Sequence, residues 1–347
     1  MRAVVIDAVR GRPEVCEVAE PTAPDGGVVV RVMATGLCRS DWHGWMGHDA
    51  DIPALPHVPG HELVGVVEAV GADVRNWRPG DRVTTPFVCA CGVCAECAGG
   101  HQQVCERQVQ PGFTTWGSFA QYVAVEAADV NLVAVPAAIE DGAAAGLGCR
   151  FATAYRAVLQ VGGVRAGETV AVHGCGGVGL SAVMVAAAAG ARVVAVDVSS
   201  EALALARACG ATDTVDARAQ PDTAAAIREL TGGGAHLSLD ALGSHATCVA
   251  SVESLRTRGR HVQVGLLPPA LGRPAVPMEL VVARELQLRG SHGMAAHAYP
   301  AMLALVEAGR LRPGALVTRR IGLEAAGAAL AAMSGGTVPG VTVIDVL

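Results

Sequence analysis

Of the 347 residues, half are hydrophobic and few are aromatic, which calls for a large aliphatic core and, at this length, for two domains rather than one. Twenty-six basic residues against 32 acidic ones leave a mildly acidic chain with no Lys/Arg block. That balance excludes nucleic acid and anionic membrane as main partners and favours a small molecule.

The first 140 residues are rich in Val, Gly and Pro, with short alternating runs such as Val28 to Val32 and Leu63 to Val70 between turn residues, and are predicted to be mostly β. Asp7 interrupts the only apolar run near the start, so no signal peptide is expected and the thiols are expected to meet a reducing cytoplasm. Cys91, Cys94, Cys97 and Cys105, spaced C-x2-C-x2-C-x7-C, can converge on one tetrahedral metal ion. Zinc is the favoured occupant, a disulfide knot does not suit the compartment, and an iron-sulfur centre stays open because four cysteines serve it too. Cys89, only two positions before Cys91, falls outside the pattern. Cys38-Arg39-Ser40-Asp41-Trp42-His43, Gly60-His61-Glu62 and Gly148-Cys149-Arg150 carry further candidate ligands, too far apart for spacing alone to join them.

From about Glu168 the texture becomes strand, turn and Ala-rich helix, repeated, as in parallel βαβ units. Candidate strands are Thr169 to His173, Arg192 to Asp197, Thr212 to Asp216, Leu237 to Ala241, His261 to Gly265 and Leu286 to Gly290, enough for one doubly wound sheet. The nearly apolar stretch Leu180 to Val198 is no membrane span, since Gly190 and Arg192 divide it into a helical half and a strand half. Directly after the first strand comes Gly174-Cys175-Gly176-Gly177-Val178-Gly179, a G-x-G-x-x-G that opens a helix and can seat a pyrophosphate on backbone amides. Asp197, at the end of the second strand, is placed to accept hydrogen bonds from ribose hydroxyls and to repel a 2′-phosphate, so NAD is expected over NADP. The plainer alternative is that the glycines serve packing alone and Asp197 caps a helix starting at Ser199. Beyond Gly290, helices near Tyr299 to Ala308 and Glu324 to Met333 and a strand Val341 to Val346 are expected to return to the first domain.

These motifs, in this order and at these distances, resemble those of the zinc-dependent alcohol dehydrogenases of the medium-chain dehydrogenase/reductase family, and the likeness runs over nearly the whole chain. It implies an α/β plus β protein: a GroES-like, mostly β catalytic domain of residues 1–150, with 288–347 returning to it, and a doubly wound Rossmann cofactor domain of residues 151–287. It also implies two zinc ions per chain. Cys38, His61 and Cys149 would hold the catalytic one, with Glu62 either a fourth ligand or just behind the metal, and Cys91, Cys94, Cys97 and Cys105 the structural one. Asp41 resembles the carboxylate that orients the ligating histidine. Ser40 and His43 resemble a relay that carries the alcohol proton by way of the nicotinamide ribose to solvent, and Arg39 a residue that reaches the NAD pyrophosphate. Phe87 and Trp45 are expected as walls of the alcohol pocket. The arginine that pairs with the glutamate in many relatives, near the last strand, is replaced here by Pro339-Gly340-Val341-Thr342, which leaves the charge partner of Glu62 open.

The implied activity is reversible hydride transfer between an alcohol and NAD from a zinc-bound alkoxide, in a cytoplasmic homodimer or homotetramer. Two other readings are carried forward: a polyol or amino-alcohol dehydrogenase of the same family, and a catalytically silent zinc- and dinucleotide-binding redox sensor. For single residues the plainer readings are a helix N-cap for Ser40, a solvated helix histidine for His43, and core fillers for Trp42, Trp45, Phe87 and Trp116. His48 and the remaining histidines carry no ligand pattern.

Overall fold

A computed structural model of the protein describes residues 1–49, 51–268, 272–336 and 338–346. The chain divides into two compact units, one made of Met1–Ala152 with Gly293–Leu347 and the other of Thr153–His292.

The first unit is built on a seven-stranded sheet whose spine is the ten-residue strand Val28–Leu37. Its Val-rich sequence suits a pleated surface, and most of its side chains are buried. Leu63–Val70 runs antiparallel along one edge of it. The other edge is shared between Tyr122–Val125, beside Val28 to Arg31, and Val341–Asp345, beside Ala34 to Leu37. Arg82–Thr84 and Val133–Ala134 extend the sheet on one side, and Val317–Gly322, parallel to Val341–Asp345, on the other. Helix Leu323–Ala332 contributes Leu323, Ala326, Ala329 and Leu330 to the core under this sheet. The expected helix and terminal strand after Gly290 are thus present and belong to this unit.

Register places the functional segments side by side. Thr35 pairs with Leu63, and the Gly36 amide donates to the Glu62 carbonyl at 2.9 Å, so the end of one strand, which leads to Cys38, faces the start of the next, which follows His61 and Glu62. Gly36 cannot be replaced cheaply, because a Cβ there would collide with the Glu62 carboxylate and the Arg150 guanidinium.

The second unit holds six parallel strands, Thr169–His173, Arg192–Asp197, Asp213–Asp216, Ala235–Asp240, Leu255–Gln263 and Gln287–Gly290. Counted along the chain, their spatial order is 3-2-1-4-5-6, the doubly wound arrangement that reverses direction beside the first strand. The fifth strand begins earlier than expected, at Leu255; Arg258 within it has φ +61, and the pairing with the fourth strand shifts register between Leu255 and Arg260. The apolar stretch Leu180 to Val198 falls into helix Gly177–Ala188 and strand Arg192–Asp197, and among the described residues no helix is long and apolar enough to cross a membrane.

Candidate active site

The segment after the spine strand forms helix Arg39–Trp45, with Cys38 at its N-cap. Asp41, at the third helical position, accepts from the Cys38 amide at 2.8 Å, the Gly60 amide at 3.1 Å and His61 Nδ1 at 2.9 Å. One buried carboxylate therefore fixes the loop carrying Cys38 and the ring of His61 together. Because Asp41 holds Nδ1, the tautomer leaves His61 Nε2 as the free nitrogen, and that atom is buried with no hydrogen-bond partner.

Cys38, His61, Glu62 and Cys149 each offer a ligand atom, and these atoms all lie within 4.8 Å of one another. Cys149 arrives on a stretch, Leu147–Phe151, wound more widely than an α-helix, with the Phe151 amide donating to the Gly146 carbonyl at 3.2 Å. Such bulges recur at functional sites because they re-aim a side chain. A hydrogen bond from Cys149, against the cost of burial and with help from His61 and Arg150, holds the Cys38 thiol well below its ordinary range. Cys149 is correspondingly raised by Cys38 and by burial. Two sulfurs and one bare imidazole nitrogen form a donor set that suits zinc, and as thiolates the two sulfurs balance its charge.

Glu62 has a partner that its surrounding sequence does not announce. Arg150 donates to Glu62 Oε1 from its backbone amide and from Nε, both at 2.9 Å, pairs with Oε2 through Nη2, and holds the Leu37 carbonyl at 2.9 Å through Nη1. Burial raises Glu62, and the charge of Arg150 opposes that rise. The only sequence signal for this role is that Arg150 directly follows Cys149.

The remaining candidates fall as follows. Ser40 lies in the first turn of the helix, with its Oγ 3.8 Å from Cys38 Sγ; Cys38, not Ser40, is the N-cap. His43 is half-buried, and its Nδ1 lies 3.1 Å from Nδ1 of His48. The Arg39 guanidinium stacks 3.6 Å above the Trp42 ring and donates to the Met333 carbonyl at 2.7 Å. Phe87 stands edge-on to His61 at 6.2 Å between ring centroids. Phe113, which no local pattern singles out, is nearer still at 5.0 Å. Trp45 does not keep its expected place as a pocket wall: it is buried in the main core of this unit, its indole N–H donating to the Gly11 carbonyl at 2.7 Å, because the helix turns this position inward.

Cys91, Cys94, Cys97 and Cys105 also bring their sulfurs within 4.8 Å of one another. The contacts are 3.4 Å for Cys94 to Cys97, 3.7 Å for Cys94 to Cys105 and 4.0 Å for Cys91 to Cys97. Sulfurs bound to one zinc at about 2.3 Å sit about 3.8 Å apart, so the spacing fits. Cys89 stays outside: its backbone closes the base of the lobe by paired bonds with Val109, and burial pushes its thiol up to about 12.

In the second unit Gly174, at φ +90, makes the turn after the first strand. A Cβ at Gly179 would collide with the Gly174 carbonyl, whereas Gly176 faces open space at the N-terminus of helix Gly177–Ala188. Gly177 and Val178 form the first turn of that helix. Asp197 accepts from the Cys175 amide at 2.6 Å and from the Ser199 amide at 2.9 Å, tying the second strand to the glycine turn, while Ser199 itself caps helix Ser200–Ala208. The turn is thus shaped for a pyrophosphate on its exposed face.

Residues 24–137 match the alcohol dehydrogenase GroES-like domain and residues 177–308 the zinc-binding dehydrogenase family. An alcohol dehydrogenase from Geobacillus stearothermophilus is 39% identical over 275 residues, 79% of this chain and 80% of that protein. One from Rhizobium meliloti (strain 1021) is 38% identical over 284 residues, 81% of each. Among solved structures, alcohol dehydrogenase TADH from Thermus sp. ATN1 superposes with a TM-score of 0.90 at 34% identity over the whole of both chains. With both domain families matched in order and relatives this similar along most of its length, the chain belongs to the zinc-dependent alcohol dehydrogenases of the medium-chain dehydrogenase/reductase family.

Proposed function

We propose that the chain oxidises apolar alcohols, and reduces the matching carbonyls, with NAD at the site of Cys38, His61 and Cys149. The observation that carries this reading is the bare, buried Nε2 of His61 among two thiols, its other nitrogen held by Asp41. When bound, zinc on these three residues supplies Lewis acidity toward the alcohol oxygen, and NAD supplies the hydride acceptor. Asp41 keeps the imidazole in the ligating tautomer. Arg150 holds both oxygens of Glu62, which makes Glu62 a neighbour of the metal rather than a standing ligand. Ser40 takes the alcohol proton and His43 passes it outward. Phe87 and Phe113, ringed around His61, favour an apolar alcohol over a polyol or an amino-alcohol. Cys91, Cys94, Cys97 and Cys105 hold the structural zinc.

Asp197 supports NAD over NADP, because its carboxylate repels a 2′-phosphate and Val198, Ser199 and Ser200 bring no cation. Gly174, Gly176, Gly177, Val178 and Gly179 receive the pyrophosphate. None of the eleven cysteines forms a disulfide, which supports a cytoplasmic enzyme. The edge strand Gln287–Gly290 is exposed along its length, near exposed Met278 and Val282, and supports a homo-oligomer built on that edge.

The test is Cys149→Ser. Turnover should vanish while NADH binding and the fold persist, and metal content should fall from about two zinc ions per chain to about one, since only the closed four-cysteine site is untouched. Retained activity with short alcohols would overturn the assignment.

A further inference from the structure

Helix Arg39–Trp45 ends in a turn that pairs two histidines by construction. The Gly47 amide bonds to the Gly44 carbonyl at 3.0 Å and the His48 amide to the His43 carbonyl at 3.0 Å, with Gly47 at φ +75. This is the Schellman pattern, in which the residue after the left-handed glycine returns over the last full turn of the helix, where an apolar contact usually forms. Here the contact is imidazole on imidazole, with Nδ1 of His43 3.1 Å from Nδ1 of His48. At that separation one nitrogen must carry the hydrogen and the other accept it. His43 is half-buried, His48 is exposed, and Trp42 packs its ring edge-on against both, at centroid distances of 5.0 and 5.6 Å.

We propose that His48 is the outermost station of the proton path, taking the proton from His43 and delivering it to water. The inference rests on the reading of Ser40 and His43 as a relay. His43 gains a proton at Nε2 and gives up its Nδ1 proton to Nδ1 of His48. His48 then loses its Nε2 proton to water, so neither ring keeps a charge, and exchange with water after product release restores the starting tautomers. Burial, Arg39 and His48 lower His43, so it stays neutral and able to accept. The other charged or titratable groups acting on it are Cys38 and Asp49; the Met333–Gly335 turn, which meets Arg39 and Trp42, adds a carbonyl and a hydroxyl but no charge.

The experiment compares kcat/KM for alcohol oxidation against pH in the holoenzyme, His48→Phe, His48→Asn, His43→Gln and the double variant His43→Gln/His48→Phe. A direct proton-transfer group contributes about 10²- to 10⁴-fold, and a station one step further out should account for about tenfold. Both His48 variants should therefore lose about tenfold with KM for NAD unchanged, recover with added imidazole, and shift the pH profile. The double variant should be no worse than His43→Gln alone, as expected for groups acting in series. Wild-type kcat/KM and pH profile in either His48 variant, or a loss that imidazole does not rescue, overturns the role of His48 while leaving that of His43. An unaffected His43→Gln overturns the relay itself and this proposal with it.

Discussion

Arg150 grips both carboxylate oxygens of Glu62 at the heart of the first unit, one through its backbone amide and Nε and the other through Nη2. Each partner is almost wholly buried, at 7% and 0% side-chain exposure, so neither charge has water to fall back on.

Removing one member of such a pair costs more than removing both. Arg150→Met should destabilise the protein by about 3–5 kcal/mol, because it strands a buried carboxylate, whereas Arg150→Met with Glu62→Gln should cost markedly less. Arg150→Lys should behave more like Met than like Arg, since an ammonium cannot reproduce the planar fork. Denaturant midpoints of the variants decide the matter; equal losses in the single and double variants would show that the pair contributes by packing alone.

Asp197→Ala removes an acceptor from two backbone amides, and with it the charge proposed to face the nucleotide. Binding of NADH, measured by fluorescence titration, should weaken about 10- to 100-fold, as for loss of a charge-assisted bond of about 1.5–3 kcal/mol, and the preference for NAD over NADP should narrow. A wild-type enzyme that already favours NADP would refute this reading of the second strand.

Cys97→Ser should release about one zinc per chain and loosen the segment 91–105, which has little apolar core beyond Ala90 and Val130 to hold it. Metal analysis and limited proteolysis are the measurements, and prolonged chelation of the wild type should give the same cleavage pattern.

His173 ends the first strand of the second unit, fully buried and with its Nε2 unbonded. Burial, assisted by His261, pushes it down to about 3 from an ordinary value of 6.5. The folded protein keeps the ring neutral while an unfolded chain protonates it below about 6.5, so stability is lost as the pH falls from there toward 3. At pH 5 this one group should cost about 2 kcal/mol. His173→Phe should raise the urea midpoint at pH 5 by more than at pH 7.5; an equal change at both would show that the ring's charge plays no part.

What could be read from the chain follows how local each requirement is. The glycine turn and the four-cysteine lobe depend on short-range spacing, so Gly174 to Gly179 and Cys91 to Cys105 stand out in the bare sequence. The six strands of the second unit announce themselves by apolar runs bounded by turns, apart from the kink at Arg258. Trp45 and Phe113 do not, because which of two aromatics reaches His61 depends on how a seven-residue helix and a distant loop pack. Arg150 as partner of Glu62 and His48 as partner of His43 are hidden for the same reason: the first pair is 88 positions apart, and the second depends on a left-handed residue at Gly47.

The strand Val341–Asp345 borders the residues that lead into Cys38, so the first unit cannot complete its sheet until the chain has been made as far as position 345. The nucleotide-binding unit is contiguous and closes on itself by position 292. During synthesis, it is the half free to fold first, while the first unit waits with an open edge on its longest strand. An arrest of translation between these positions leaves an apolar strand edge unpaired, and nascent chains stalled there should be the ones that chaperones capture and proteases cut.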